Sequence, residues 1–384
     1  MYWKGRLHYL HRFLATENTE LFAIELFGKG SPYAFDTVND KQPWWTCLFP
    51  GHSAADLSKQ QIKQSIFAAL DRLQPDVVIG PSIVFYAGAL GIAWARQNKK
   101  RFVMFDDARP AQFKRNVVVQ TVKDLITAQV DALWLPSKSY EADYAKFENN
   151  STLFFYGFSS IDNRLFSPAG PAIPGNKIIV CVARLVPVKN LDNLLRAWQV
   201  VELQHTGYKL RIIGNGPEDA KLKQLQDELQ LSTVAFVDSV NNEELPAQLN
   251  QADAFILPSL SETWGLVVNE AMAAGLPVLL SRNVNAANDL LKEGLNGYTF
   301  DPYDIAEIAN AILKYIKLGD EAKQQMSGNS LALINGMSYE NMGVKLLEAL
   351  RNIMGKPYKE PGIIAGTLVK LWHGRYNTSA WDKL

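Results

Sequence analysis

The chain has 384 residues, of which 47% are hydrophobic and 20% charged, a composition typical of a globular protein with about two domains. Its 39 basic and 39 acidic residues leave no formal net charge, which argues against nucleic-acid binding, since such proteins usually carry a basic excess. Cys47 and Cys181 lie far apart and form neither a metal-binding spacing nor a disulfide framework, so we expect a reducing, cytoplasmic location.

The N-terminal residues predict a helix. Leu7, Leu10 and Leu14 fall on one helix face, and residues 1–13 lack the apolar stretch of a signal peptide. A doubly wound domain usually opens on a buried strand and a glycine-rich turn. We therefore expect the first N-terminal strand to be missing from this chain.

Short apolar runs then alternate with helical patterns, which predicts β-α-β units and parallel sheets. Strand candidates in the first half are residues 21–26, 45–49, 76–80, 101–105, 131–136 and 152–156. Those in the second half are residues 178–183, 209–213, 234–237, 254–258 and 277–281. The sequence therefore predicts the α/β class throughout.

The segment SPAGPAIPGN, residues 167–176, predicts a linker, because its three prolines and two glycines exclude a regular element. We expect an N-terminal domain over residues 1–168, a C-terminal domain over residues 169–354 and a tail over residues 355–384. The tail is amphipathic in its first half through Ile364, Leu368, Leu371 and Trp372.

The segment SLSETWGLVVNEAMAAGLPV, residues 259–278, predicts a turn followed by a helix that begins after Gly265. The backbone N–H groups at such a helix start attract phosphate, and a glycine leaves room for its approach. Glu262 and Glu270 flank this start at an expected separation of ~8–10 Å. That is too wide for a retaining glycosidase but suits the two ends of one long ligand. Alternatively, one acid favours the helix dipole and the other is a solvated helix acid.

Two cations, Arg184 and Lys189, follow the strand that ends near residue 183. The carboxyl edge of a parallel sheet is where such folds bind ligands, and both side chains suit phosphate oxygens. Solvated loop cations are the alternative. Gly214 and Gly216 also follow a strand, but Asp219 breaks the dinucleotide fingerprint, and a tight strand-to-helix turn explains them as well.

Three segments together, VARLVPVKN (182–190), IIGNGPE (212–218) and PSLSETWGLVVNEAMAAGLPVLLS (258–281), resemble the donor domain of retaining GT-B glycosyltransferases of family 4, also called glycosyl transferases group 1. The resemblance covers about residues 151–350. It implies the GT-B fold, with two Rossmann-like domains whose parallel sheets face each other across a cleft and a C-terminal tail that returns to the N-terminal, acceptor-side domain. It also implies closure of the two domains about the linker, which would exclude water.

The resemblance implies roles for individual residues. Arg184 and Lys189 would hold the diphosphate of a nucleoside diphosphate sugar, Glu270 the ribose hydroxyls and Glu262 the hydroxyls of the transferred sugar. The N–H groups of the helix start would lie near the phosphates and the sugar, so the donor-binding segment comprises Thr263, Trp264, Gly265, Leu266 and Val267. Neither a metal nor a separate cofactor is expected, since the donor itself is a co-substrate.

In the N-terminal domain, the segment VMFDDARP, residues 103–110, corresponds to a family loop beside the sugar. Asp107 is accordingly a second catalytic candidate, with Asp106 beside it. Alternatively, these acids cap a helix or pair with Arg109.

We therefore expect a cytoplasmic, retaining glycosyltransferase that acts on a sugar, glycan or lipid-linked hydroxyl. One rival is an N-terminally shortened, non-catalytic sugar-nucleotide-binding or scaffolding protein. A dinucleotide-dependent oxidoreductase is disfavoured by the broken glycine fingerprint. The tail is expected to pack on the N-terminal domain, and the alternative hypothesis is peripheral contact of Lys370, Trp372 and Arg375 with the inner face of the membrane.

Overall fold

The chain folds into two α/β units. A computed structural model describes residues 2–29, 42–110, 116–150, 152–168, 176–241, 243–358, 360 and 362–373. The first unit comprises the residues up to Ser159 together with those from Tyr339 onwards, and the second comprises Ser160–Ser338. Among the described residues, every strand pair is parallel.

The first unit holds thirteen of the described helices and strands. In chain order they are α1 (Tyr2–Thr16), β1 (Ala23–Phe27), β2 (Trp45–Phe49), α2 (Lys59–Leu73), β3 (Val77–Pro81), α3 (Tyr86–Gln97), β4 (Arg101–Phe105), α4 (Val117–Thr127), β5 (Ala132–Leu135), α5 (Glu141–Tyr144), β6 (Leu153–Tyr156), α14 (Tyr339–Gly355) and α15 (Ile363–Leu371).

The first unit opens on helix α1, as expected from the leucine spacing, and no strand precedes it among the described residues. Its strands form a four-stranded sheet in the order β3-β4-β5-β6 and a separate two-stranded sheet, β1-β2. Leu10 and Leu14 of α1 pack with Met342 and Leu346 of α14 and with Trp134 of the larger sheet. The helix predicted at the start of the chain is therefore part of the core of this unit.

The second unit holds the remaining elements. In chain order they are α6 (Asn163–Phe166), β7 (Ile178–Val182), α7 (Leu191–Glu202), β8 (Lys209–Ile213), α8 (Asp219–Glu228), β9 (Val234–Val237), α9 (Leu245–Leu249), β10 (Ala254–Leu257), α10 (Leu266–Ala273), β11 (Val278–Ser281), α11 (Ala287–Leu290), β12 (Gly297–Phe300), α12 (Ile305–Ile316) and α13 (Asp320–Ile334).

The second unit has one six-stranded sheet in the order β12-β11-β10-β7-β8-β9. This is the order of a Rossmann fold, with the first strand of the unit in the middle. Helix α7, which follows Lys189, is part of the core of this unit, because its Leu194, Leu195 and Trp198 are fully buried. Every predicted strand overlaps an observed one, but β12, with the sequence GYTF, is not among the predicted strands.

The unit boundaries differ from the predicted domain boundaries of 168 and 354. The chain leaves the first unit after Ser159 and returns to it at Tyr339, the first residue of α14. The return is earlier than predicted because α14 contributes Met342 and Leu346 to the core of the first unit. Most of the predicted linker, residues 169–175, lies outside the described residues.

The tail forms helix α15, but the predicted packing face is wrong. Val369 is the buried residue of this helix, whereas Ile364 and Leu371 are exposed. Trp372 is half-buried, and its indole N–H donates to the carbonyl of Ile83 at 2.8 Å. Arg375 lies outside the described residues.

Candidate active site

The order of the second sheet defines where a ligand would bind. Strands β7 and β10 are neighbours, and the chain connects β7 to β8 on one side and β10 to β11 on the other. In open parallel sheets, ligands bind outside the carboxyl ends of the strands at such a switch point. The loop after β7 carries Arg184 and Lys189, and the loop after β10 carries Ser259 and Glu262. The fold thus brings the predicted cations and the first predicted acid to one place.

Lys189 and Glu262 form an ion pair at this switch point, with the ammonium donating to Oε1 of the carboxylate. The hydroxyl of Ser259 donates to the same oxygen at 2.9 Å. Both charged side chains are largely sheltered, with exposed fractions of 19% for Lys189 and 14% for Glu262. The alternative interpretation of Lys189 as a solvated loop cation is therefore wrong.

Asn190 holds the loop after β7 in place, and the sequence analysis did not single it out. Its backbone is left-handed, with φ at 57°, a conformation that asparagine tolerates better than most residues. Its amide donates to the carbonyls of Pro258 at 3.2 Å and Pro302 at 2.7 Å. The side chain thereby ties together the loops that follow β7, β10 and β12, and its neighbour Lys189 is fixed with them.

Two further asparagines, also missed in the sequence, hold the loop that carries Glu262. Asn283 donates from its side chain to the carbonyl of Leu260 at 3.0 Å, and its own carbonyl accepts from the backbone N–H of Glu262 at 3.2 Å. Asn285 donates to the carbonyl of Thr263 at 3.2 Å. The loop is thus fixed through its backbone, which leaves the Glu262 carboxylate to Lys189 and Ser259.

The start of helix α10 follows at Gly265. Its φ of 97° lies in the left-handed region that favours glycine, and Leu266 and Val267 begin the helix at half-buried positions. The first backbone N–H groups of a helix have no partner within it, so this start can receive an anion. Trp264 does not line the surface with its side chain, because it is 1% exposed and its indole donates to Asn269 at 2.8 Å.

Glu270 lies one turn inside α10 and is 1% exposed. The alternative interpretation of Glu270 as a solvated helix acid is therefore wrong. A carboxylate with so little access to water requires hydrogen-bonding partners, and its hydrogen bonds are stronger than they would be in water.

Cys181, on β7, lies close to Lys189 and Glu262. Burial raises the pKa of its thiol to about 12, which keeps the thiol protonated at neutral pH. Cys181 is also fully buried, so its side chain serves the packing of the sheet.

The glycines of the loop after β8 allow a close backbone contact with the loop that carries Arg184. A Cβ atom at Gly214 would lie 1.9 Å from the carbonyl oxygen of Ala183, and one at Gly216 would lie 2.3 Å from that of Leu185. The backbone N–H of Leu185 donates to the carbonyl of Asn215 at 3.0 Å. The tight-turn interpretation fits Gly214, and both glycines also shape the candidate site.

We expect Gly216→Ala to destabilise the protein by about 1–3 kcal/mol, because the new methyl group must displace backbone. Gly328→Ala is the matched control, since a Cβ there meets no atom within 4 Å. In the middle of α13 this change should stabilise by about 0.5–1 kcal/mol. Urea unfolding of both variants measures the difference, and equal midpoints would contradict the close contact.

In the first unit, Asp106 and Asp107 follow β4, as predicted. Oδ1 of Asp106 accepts from the backbone N–H of Ala108 at 3.0 Å, and burial raises the pKa of this carboxyl above its ordinary value. Arg109 pairs with Asp143 at 3.0 Å, so the alternative in which Asp106 pairs with Arg109 is wrong.

Asp107 is half-buried and lies near Arg6 of α1. Burial of the Arg6 guanidinium lowers its pKa to about 10, and the negative charge of Asp107 acts in the opposite direction. The Arg6 guanidinium lies over the rings of Trp3 at 5.5 Å and Phe158 at 5.3 Å. Asp107 is therefore at the carboxyl edge of the first sheet beside a buried cation, which the sequence analysis did not predict.

Two wider features of the described part of the chain bear on function. In the described ranges, no group of three or more His, Cys, Asp or Glu side chains is placed to hold a metal ion. No described helix is both long enough and apolar enough to cross a bilayer.

The second unit is similar in sequence to a known family of proteins. Residues 162–332 match the family described as glycosyl transferases group 1, a match that covers less than half of the chain. A protein of Haemophilus influenzae described as an uncharacterized glycosyltransferase is 29% identical over 180 residues, which are 47% of this chain and 49% of that protein. The chain thus aligns with about half the length of this relative.

Solved structures match over more of the chain. A sucrose-phosphate synthase from Thermosynechococcus elongatus has a TM-score of 0.70 at 18% identity, covering 90% of this chain and 92% of that one. Anabaena HepE in complex with UDP has a TM-score of 0.71 at 16% identity, covering 86% and 100%. At these identities the likeness concerns the fold, which is the α/β GT-B fold predicted from the sequence. Residues 162–332, which include every predicted donor-side residue, are therefore similar to the glycosyl transferases group 1 family, within a chain of that fold.

Proposed function

We propose that this protein is a retaining glycosyltransferase of family-4 type that moves a sugar from a nucleoside diphosphate sugar to a hydroxyl of a sugar, glycan or lipid-linked acceptor. The observation that carries the proposal is the sheltered Lys189–Glu262 ion pair at the switch point of the second sheet. This arrangement offers a cation for the diphosphate and a carboxylate for sugar hydroxyls at adjacent positions. The group 1 match of residues 162–332 and the UDP in the HepE structure support a nucleotide-sugar donor.

The donor-side residues divide the ligand between them in this proposal. Lys189 and Arg184 bind the diphosphate, which the N–H groups at Gly265, Leu266 and Val267 also face. Glu262 accepts hydrogen bonds from the transferred sugar, and Glu270 accepts them from the ribose. The chain order supports this division. Glu262 precedes the start of α10, which receives the anion in this proposal, and Glu270 lies one turn inside the helix.

The same residues would accelerate transfer without a metal or another cofactor. Departure of the nucleoside diphosphate places negative charge on the leaving oxygen, which the two cations and the helix start would stabilise. Retention requires that the leaving group and the acceptor occupy the same face of the sugar. Asp107 of the first unit is the proposed acceptor-side carboxylate.

A donor screen tests the proposal. Uridine, guanosine and adenosine diphosphate sugars would be offered with hydroxyl acceptors, and released nucleotide, product anomer and nucleotide binding would be measured separately. The proposal expects acceptor-dependent release from one donor class and an α product from an α donor. Binding without release under every donor and acceptor would instead support the non-catalytic sugar-nucleotide-binding protein.

A further inference from the structure

Two helices of the first unit expose the same apolar pattern. On α4, the exposed residues Val117, Val118, Thr121 and Leu125 lie within about 100° of helix circumference. On α15, the exposed residues Ile363, Ile364, Thr367 and Leu371 repeat this spacing and the same side-chain types. The helices touch each other. We call these eight residues the apolar ledge.

The ledge residues are unusually accessible for their type. Val117 is 79% exposed, Ile363 is 89% exposed and Leu371 is 67% exposed. Helix α15 has six apolar residues in the sequence IIAGTLVKL, yet Val369 is its buried residue. A helix that is apolar on nearly all sides is normally buried, so we expect the exposed side of α15 to contact another apolar surface or a membrane.

The polar atoms within the ledge are satisfied by their own helices. The hydroxyl of Thr121 donates to the carbonyl of Val117 at 2.9 Å, and that of Thr367 donates to Ile363 at 3.0 Å. Each threonine hydroxyl therefore donates its hydrogen bond within its own helix. A surface whose polar groups are satisfied internally can enter a medium that offers no hydrogen bonds.

The charges around the ledge favour an anionic surface. Residues 362–373 contain no acid, and Lys370 is exposed beside the ledge residues of α15. On α4, Asp124 is paired with Lys146 at 2.6 Å and is thereby neutralised. Lys370 beside the exposed aliphatic residues of α15 gives this helix the composition of one that lies in a membrane interface.

We propose that the apolar ledge docks the protein on a lipid bilayer with anionic head groups. A protein partner fits less well, because protein interfaces concentrate Tyr, Trp and Arg at their centre and the ledge contains only aliphatic side chains and threonine. This inference goes beyond the proposed sugar transfer and does not depend on it. The proposed membrane contact lies on the surface of α4 and α15, whereas the hypothesis from the sequence placed it on Lys370, Trp372 and Arg375.

Vesicle co-sedimentation of the full chain tests the proposal. Phosphatidylcholine vesicles with and without phosphatidylglycerol would be mixed with wild type, with Ile363→Ser/Ile364→Ser and with Val117→Ser/Val118→Ser. The matched control is Leu165→Ser/Leu203→Ser, whose residues are 63% and 70% exposed in the second unit. Wild type and control should bind anionic vesicles, and each ledge variant should lose at least about tenfold in partitioning.

Nucleoside diphosphate binding, measured without vesicles, separates the two proposals, because the ledge variants should bind nucleotide as wild type does. Wild type that fails to bind anionic vesicles would overturn the docking proposal, as would ledge variants that bind as well as the control. Sedimentation equilibrium without lipid measures whether the protein forms dimers through the ledge. A wild-type dimer that both ledge variants abolish would assign the ledge to contact between copies and overturn lipid docking.

Discussion

Replacing Lys189 with alanine is expected to weaken binding of the donor's nucleoside diphosphate by roughly 10- to 150-fold, which is about 1.5–3 kcal/mol for a hydrogen bond to a charged group. The loop that carries the ammonium is held at the ends of β7 and β10 by the two hydrogen bonds of Asn190. A cation on a fixed loop loses little conformational freedom when the phosphate binds. Its contact with phosphate should therefore contribute more binding free energy than an ion pair between exposed side chains. Titration calorimetry at two salt concentrations measures both the affinity and its electrostatic part.

Lys189→Arg and Lys317→Ala are the controls. Arginine retains the charge and should keep most of the affinity, whereas Lys317 is exposed at the end of α12, away from the switch-point loops. Because Lys189→Ala also leaves Glu262 without its cation, urea unfolding of Lys189→Ala, Glu262→Gln and the double variant separates stability from binding. Unchanged nucleotide affinity in folded Lys189→Ala would remove Lys189 from the diphosphate site.

The sequence predicted that Lys189, Arg184 and Glu262 lie at one edge of the sheet, because each of them follows the end of a strand. In a parallel sheet with helical crossovers, the carboxyl end of every strand lies at the same edge. Residues that directly follow two neighbouring strands must therefore approach each other. Only the neighbour relation of β7 and β10 had to be supplied by the structure.

The residues that hold this site were not predictable, because each acts on backbone far away in the chain. Asn190 bonds to the carbonyl of Pro302, and Asn285 bonds to that of Thr263. An amide side chain carries no sequence signal for which distant carbonyl it will meet. The same limit applies to Glu270, since its helix spacing is readable but its burial depends on how α10 packs.

For the apolar tail, the sequence predicts a helix correctly but not which side of it is buried. The spacing of Ile364, Leu368 and Leu371 predicts a face that packs against the N-terminal domain, and the helix does form. Instead, α15 packs against α3 and α4 through the side that contains Val369, which is not the predicted face. In a helix that is apolar nearly all round, spacing cannot tell which side is covered.

Replacing Glu262 with glutamine is expected to separate transfer from binding. The change keeps the size of the side chain but removes the charge that holds Lys189, so the ammonium becomes available to phosphate before the nucleotide arrives. Nucleoside diphosphate affinity should therefore rise, by about two- to tenfold, since binding no longer competes with the ion pair. Turnover should fall by about 10²- to 10³-fold, because a preorganised contact to the reacting sugar is weakened.

Glu270→Gln should behave in the opposite way, with nucleotide affinity reduced by about tenfold through the loss of a charged acceptor for the ribose. Glu293→Gln is the control, since it removes an exposed pairing with Lys314 at 3.9 Å on the same unit. Single-turnover kinetics and nucleotide titration of the three variants measure the two quantities independently. Glu262→Gln with full turnover, or with a loss of nucleotide affinity equal to that of Glu270→Gln, would contradict the assignment. Opposite signs of the affinity change at the two glutamates are the expected result, because only Glu262 competes with the donor for Lys189.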